Sequence, residues 1–182
     1  MIRKIRYLLL CSIVFLTACA TTKTTYSEEE IDALHNLVAS NSFKIVSDQA
    51  YPLATASLNK LSNIGLLIPG DNASRISLRN RYNFLSISGD SISAELPYYG
   101  EQRLSRTYGS FDKGIALNTL LDEYNAVYNE KENYYELRFN ADQDVENYKI
   151  RIDIFANNQT YINITSTHRT TIAYRGKVVP SE

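Results

Sequence analysis

The residue with the clearest chemistry is Cys19, which closes the stretch Leu16-Thr17-Ala18-Cys19. A basic segment, Met1 to Arg6, and an apolar segment, Tyr7 to Phe15, precede it, and this order is typical of an export signal. A cysteine directly after small residues is the position at which bacterial lipoprotein processing attaches a lipid. We therefore expect residues 1–18 to be a lipoprotein signal peptide and Cys19 to be the lipidated first residue of the mature chain.

Cleavage at this site changes both the thiol content and the charge of the protein. Cys11 leaves with the signal, so the mature chain has no free thiol, which excludes thiol catalysis, zinc–thiolate sites and disulfides. Three of the 19 basic residues also leave, so 16 remain against 20 acidic residues and the formal charge becomes −4. This charge argues against nucleic-acid binding. The expected partners are the membrane, through Cys19, and an unknown envelope protein or a small ligand.

Residues that would carry catalysis are sparse. The two histidines, His35 and His168, do not have metal-ligand spacing, and Ser166 with His168 is a pairing that chance delivers in a serine-rich chain. We expect no enzymatic activity and no cofactor. The alternative is a periplasmic hydrolase acting on glycan or peptide, whose carboxylates would come from Asp112, Asp122, Glu123, Glu136 and Asp153.

One segment alternates as the opening of a calcium-binding loop does, with Asn140, Asp142, Asp144 and Glu146. However, Val145 stands where the loop needs glycine, and Arg151 stands where it needs a closing glutamate. The pattern therefore predicts a solvated turn and no metal site.

Two further features suggest recognition or modification. Tyr98 and Tyr99 could line a ligand groove, with packing within the strands as the alternative. Arg169 could bind a carboxylate or phosphate, with pairing to an acid of a neighbouring strand, such as Asp153, as the alternative. The triplet Asp90-Ser91-Ile92 resembles the O-glycosylation pattern of Bacteroidetes exported proteins, which makes Ser91 a candidate site in what is otherwise a plain hairpin turn.

The elements that must position these residues begin after a short tether. We expect residues 19–26 to be a lipidated tether, and its residues 20–26 can span at most about 25 Å when extended, which keeps the folded body near its membrane. Ser27 and Glu30 have capping-box spacing, and the apolar residues that follow lie on one helical face. The sequence predicts one helix over about 27–40, at the start of a single domain that covers residues 27–182.

From Phe43 onward the apolar period becomes two, which predicts mostly antiparallel sheet. Leu85 and Ile87 precede a turn at Gly89-Asp90, and a returning strand ends at Pro97. Asn157-Asn158 predicts a second hairpin, and the last strand carries Ile172 and Tyr174 before Arg175-Gly176. We expect a mainly β fold, an antiparallel meander that closes into a small lipocalin-like barrel or forms a sandwich.

The alternation of residues along the later strands also predicts which side chains fill the interior of the barrel. One face collects large aliphatic and aromatic residues: Leu137, Phe139, Ile150, Ile152, Ile154, Ile162 and Ile164. In a barrel of about eight strands such side chains are large enough to fill the interior. We therefore predict a filled core, with any binding surface at an open end lined by Tyr98, Tyr99 and Arg169.

Three motifs give the chain a family resemblance. They are Leu96-Pro97-Tyr98-Tyr99-Gly100, Gly114-Ile115-Ala116-Leu117, and the closing run from Ser166 to Gly176. Together they resemble the Bacteroidetes lipoprotein family known as domain of unknown function 4251, over roughly residues 43–179. The resemblance implies a predominantly β envelope lipoprotein with a barrel-like arrangement, and the family label itself carries no statement of activity. One departure is Asn157-Asn158, where the family leads us to expect a glycine turn.

The sequence thus predicts a membrane-anchored envelope lipoprotein that serves as a noncatalytic binding or structural module. Ala20 is not the aspartate that retains enterobacterial lipoproteins in the inner membrane, which favours the outer membrane. We expect the domain to face the periplasm, with display on the cell surface as the alternative.

Overall fold

The structure is a computed structural model that describes residues 26–103 and 114–180. Its helices are α1 (Glu28–Ala39) and α2 (Ala56–Asn63). Its strands are β1 (Ser42–Pro52), β2 (Ile76–Ser77), β3 (Phe84–Ser88), β4 (Ser91–Pro97), β5 (Gly114–Leu120), β6 (Asp122–Asn129), β7 (Tyr134–Gln143), β8 (Glu146–Phe155), β9 (Gln159–Ser166) and β10 (Ile172–Val179). Within the described ranges, neither helix is long and apolar enough to cross a membrane.

All pairings in the sheet are antiparallel, in the order β5-β4-β3-β1-β10-β9-β8-β7-β6, with the short β2 also on β1. The two end strands, β5 and β6, are consecutive in the chain and separated only by Leu121. The chain bends here, since Glu123 has φ 52° and the β6–β7 register shifts between Asp122 and Asn125. Strands β5 and β6 therefore form one bent strand, whose first half pairs with β4 and whose second half pairs with β7. This strand nearly closes the sheet, which confirms the predicted small barrel.

The barrel interior is filled, as the strand parity predicted. The seven inward residues named for strands β7, β8 and β9 are all at most 3% exposed. The strands on the other side contribute an equally buried set: Phe43, Ile45, Leu85, Ile87, Ile92, Ala94, Leu96, Ile115 and Leu117. Alternating outward residues are mostly polar, so each strand has one dry and one wet face.

Helix α1 covers the end of the barrel at which β1 and β7 begin, which we call the helix end. The capping box is present: the Ser27 hydroxyl accepts from Glu30 N at 3.2 Å, and Ser27 N donates to the Glu30 carboxylate at 2.9 Å. Leu34 and Val38 are buried against the barrel. This confirms the predicted helix, which spans residues 28–39 with Ser27 as its cap.

A second helix that the sequence pattern did not predict, α2, follows β1. Thr55 caps it by accepting from Leu58 N at 3.2 Å, and Leu58 is its one buried residue. So short a helix with one anchoring residue has no recurrent apolar face for a sequence pattern to reveal.

The two predicted hairpins form, but the last strand is longer than predicted. Gly89 (φ 61°) and Asn158 (φ 62°) supply the left-handed backbone of their turns. Strand β10 does not stop before Gly176 but continues to Val179. A Cβ at Gly176 would lie 2.3 Å from the carbonyl oxygen of Val46, so glycine is needed there for close strand approach and not for a turn.

Candidate functional site

A buried ion pair lies at the opposite end of the barrel from α1, where β4 ends and β8 begins, which we call the ion-pair end. Glu146 is the first residue of β8 and has the same inward parity as Tyr148 and Ile150. Arg169 comes from the β9–β10 connection, and its Nε lies 3.1 Å from Glu146 Oε1 and 3.3 Å from Oε2. The side chains of Glu146 and Arg169 are 1% and 2% exposed. The pair is therefore part of the barrel's interior and closes this end.

The surrounding hydroxyl groups favour the charged form of the carboxyl. Burial alone would raise the pKa of Glu146, but hydrogen bonds from Ser166 and Tyr148, together with the Arg169 guanidinium, lower it below its usual range. The Ser166 Oγ donates to Glu146 Oε1 at 2.5 Å and also accepts from Arg169 N at 3.0 Å. Nearby, burial raises the pKa of Tyr174 well above its usual value, and its hydroxyl donates to Pro97 O at 2.9 Å.

Arg169 also ties neighbouring loops to the barrel. Its Nη1 donates to Gly114 O at 2.7 Å, at the first residue of β5. On the other flank, residues 101–103 run antiparallel to residues 168–170, with Arg103 N donating to His168 O at 2.6 Å and Thr170 N to Glu101 O at 3.0 Å. The Arg169 guanidinium thus joins the β9–β10 connection to the first residues of β5 and β8.

The structure brings Tyr98 and Arg169 together but separates Tyr99 from them. The Arg169 guanidinium lies 5.2 Å from the centre of the Tyr98 ring, and the Tyr98 hydroxyl donates to Thr170 O at 2.9 Å. Tyr99 instead accepts from Arg81 Nη1 at 2.6 Å. Arg169 does pair with an acid of a neighbouring strand, as predicted, but that acid is Glu146 and not Asp153, and Arg169 is buried. Ligand binding by these three residues stays a prediction, and a ligand reaching Arg169 would have to displace the ion pair.

The calcium-like alternation does not converge on a site. Asn140 donates to Glu123 at 2.6 Å, Asp142 accepts from Asn147 at 2.7 Å, and Glu146 points inward to Arg169. Across residues 26–103 and 114–180, no group of three or more His, Cys, Asp or Glu side chains is arranged to hold a metal ion. The interpretation as a solvated turn holds for exposed Asp142 and Asp144 but is wrong for buried Glu146.

The residues proposed for hydrolysis are engaged in other contacts. Ser166 contacts Glu146, while His168 has Thr167 Oγ1 at 3.4 Å from its Nδ1. Glu136 and Asp153 face each other across β7 and β8, and both contact Arg151, at 3.7 and 2.9 Å. Burial raises the pKa of Asp153, and Arg151 opposes that rise. Asp122 and Glu123 lie at the β5–β6 bend, and Asp112 lies outside the described residues.

The two modification candidates have different positions. Ser91 opens β4 directly after the hairpin turn, and its Oγ donates to Asp90 Oδ1 at 3.1 Å. Glycosylation of this half-exposed hydroxyl stays a prediction. Cys19 lies outside the described residues.

Grooves occur on the outer surface of the barrel. One of about 260 Å³ crosses β7, β8 and β9 between Arg138, Lys149 and Arg151. Two others, of about 410 and 300 Å³, lie side by side over β4 and β5 and share Glu95 and Ala116. No motif or spacing in the sequence marks Glu95 as a candidate site residue. Glu146 was recognisable, because it continues the inward parity of Tyr148 and Ile150.

Comparisons with known proteins agree with the fold. No curated protein is significantly similar to the chain. The crystal structure of a DUF4251 family protein from Bacteroides eggerthii is similar, with a TM-score of 0.55 and 9% sequence identity, over 84% of this chain and 88% of that one. At this identity the likeness shows the fold alone. The family model for domain of unknown function DUF4251 matches residues 25–178, and the chain therefore belongs to the DUF4251 family.

Proposed function

We propose that the protein is a lipid-anchored envelope module that has no catalytic site and acts by contacting a ligand or partner on the outside of its barrel. The observation that carries this proposal is the filled interior. Inward side chains from eight strands are almost completely buried, and the ion pair fills the end opposite α1. Small barrels that hold a ligand leave room for it inside, whereas this one is packed.

The polar chemistry of the described residues supports a noncatalytic role. Glu146 accepts hydrogen bonds from Ser166 and Arg169, and Glu136 and Asp153 both form salt bridges with Arg151. A general acid or nucleophile needs access to its substrate, and Glu146 is enclosed. The recognition surface is therefore expected among the outward residues.

The anchor part of the proposal is tested by metabolic labelling with palmitate. Cys19→Ala should abolish labelling and leave unprocessed precursor, because Cys19 is the residue that would receive the lipid. Cys11→Ala is the matched control, and we expect it to label like the parent. Equal labelling of Cys19→Ala and the parent would contradict the anchor.

We further propose that the domain faces the periplasm from the outer membrane. The support is Ala20 after the lipidated cysteine and the short tether. Membrane fractionation should place the protein in the outer membrane, and protease added to intact cells should leave it whole. Release of the domain from intact cells would instead establish surface display.

A further inference from the structure

The two adjoining grooves over β4 and β5 form one continuous trough with a defined build. Glu95 and Ala116 line both grooves, of about 410 and 300 Å³. Small outward residues keep the floor low, namely Ser93 on β4 and Gly114 and Ala116 on β5. Gly114 cannot be enlarged freely, because a Cβ there would lie 2.6 Å from Leu96 O. The trough is therefore formed by the small outward residues of β4 and β5 and by the close approach of these two strands at Gly114.

One end of the trough carries an exposed aromatic ring on a fixed support. Tyr82 is 75% exposed, and its neighbours on both sides are anchored. Asn83 is buried and its side chain accepts from Ser47 N at 2.8 Å and donates to Ser47 O at 3.0 Å. Arg81 donates to Tyr99 at 2.6 Å. The backbone of Tyr82 is thus held in place while its ring stays open to solvent, which lowers the entropic cost of using the ring as a contact surface.

The other end presents acceptors and amides. Asn118, Gln143 and Asp144 line it, and Glu95 lies where the two grooves meet. Gln143 Oε1 accepts from Asn118 N at 3.0 Å, which engages that oxygen and fixes the Gln143 amide across the gap between β5 and β7. Among the described residues that line the trough there are two carboxylates and neither lysine nor arginine.

We propose that this trough binds a short neutral oligosaccharide. The inference deepens the proposed noncatalytic binding role and rests on it. Sugar hydroxyls are good donors to the carboxylate of Glu95, amide groups such as that of Asn118 can both donate and accept, and the Tyr82 ring offers an apolar face to the C–H side of a sugar ring. The Glu95 carboxylate disfavours anionic chains.

The test is titration calorimetry on the full chain purified from membranes in detergent. The probes are maltotriose, cellotriose, xylotriose and triacetylchitotriose, with trigalacturonate and trilysine as the anionic and cationic alternatives. We expect at least one neutral trisaccharide to bind, and we expect Tyr82→Ala and Glu95→Gln each to weaken it about tenfold. Tyr161→Ala is the matched control, because it removes an exposed tyrosine on β9 outside the trough and should leave the affinity unchanged.

Several results would overturn the proposal: no neutral trisaccharide binding at millimolar concentration, binding of trigalacturonate or trilysine alone, or equal affinities of Tyr82→Ala and the parent. Chromatography of the bound sugar after incubation separates this inference from the proposed function. Cleavage that depends on Glu95 would support the trough as a sugar site while contradicting the noncatalytic role. Absence of binding would remove the sugar site and leave the anchor unaffected.

Discussion

At the helix end, α1 covers the barrel with Leu34 and Val38, whereas at the ion-pair end the interior is completed by Glu146 and Arg169. The helix is specified locally, by a capping box and an apolar stripe within a dozen residues. The ion pair draws on residues that are distant in the chain, at the starts of β5 and β8 and in the β9–β10 connection, and each charge has several partners. The two ends of the barrel are thus closed in different ways. An apolar cover does not depend on exact side-chain geometry, whereas a buried ion pair needs nearly all of its hydrogen-bond partners in place.

The largest effect should come from breaking the ion pair. Arg169→Met leaves the Glu146 carboxylate buried and uncompensated, and we expect a loss of about 3–5 kcal/mol in the free energy of unfolding. Urea denaturation at pH 7 measures it. Arg138→Met is the control: Arg138 is 63% exposed and pairs with Glu136 on the surface, so its loss should be about 1 kcal/mol or less.

A second variant distinguishes the charge from the packing. Adding Glu146→Leu to Arg169→Met removes the stranded carboxylate, and we expect the double variant to recover much of the lost stability. If the double variant is as unstable as Arg169→Met, the loss comes from contacts such as that of Arg169 with Gly114 and not from unpaired charge.

Truncating a buried apolar side chain between the two ends gives a reference loss of stability, against which the losses at both ends can be compared. Ile152 is fully buried in the middle of β8, and Ile152→Ala should cost about 2–5 kcal/mol by leaving a cavity. Thermal or urea unfolding measures the loss. A loss below about 1 kcal/mol would mean that the interior is loosely packed, which would also weaken the argument for a ligand surface on the outside.

The smallest effect should come from the helix end. Ser27→Ala removes the capping hydroxyl of α1 and should cost about 1 kcal/mol, because Leu34 and Val38 continue to hold the helix. Amide hydrogen exchange should show faster opening in the first turn of α1 and unchanged protection in β7 and β8. Equal loss of protection throughout the barrel would show that the two ends are not independent.

This contrast also explains how much of the molecule the sequence could predict. Ser27 with Glu30, and the alternation in β7 to β9, are local signals, so α1, the barrel and its filled core were predictable. The ion pair joins residues 23 positions apart, and Asn83 holds Ser47 from 36 positions away. Such contacts depend on how the connections fold back. The calcium-like spacing around Glu146 also obscured its inward parity.

The pH dependence of the ion-pair end follows from the direction of the Glu146 shift. The folded pKa lies below its usual value, so the charged carboxylate contributes stability above the unfolded pKa, and this contribution is lost as the pH falls through the folded pKa. In Arg169→Met, burial should instead raise the pKa of Glu146, and lowering the pH from 7 toward that value should stabilise the variant.

A carboxyl ¹³C NMR titration of Glu146 in the parent protein and in Arg169→Met tests the buried ion pair most directly. We predict a midpoint below the usual 4.5 in the parent, where the guanidinium and the hydroxyl groups together outweigh burial, and above it in the variant, which lacks the guanidinium. A parent midpoint at or above 4.5, or the same midpoint in both proteins, would contradict the claim that a satisfied charge pair closes this end of the barrel.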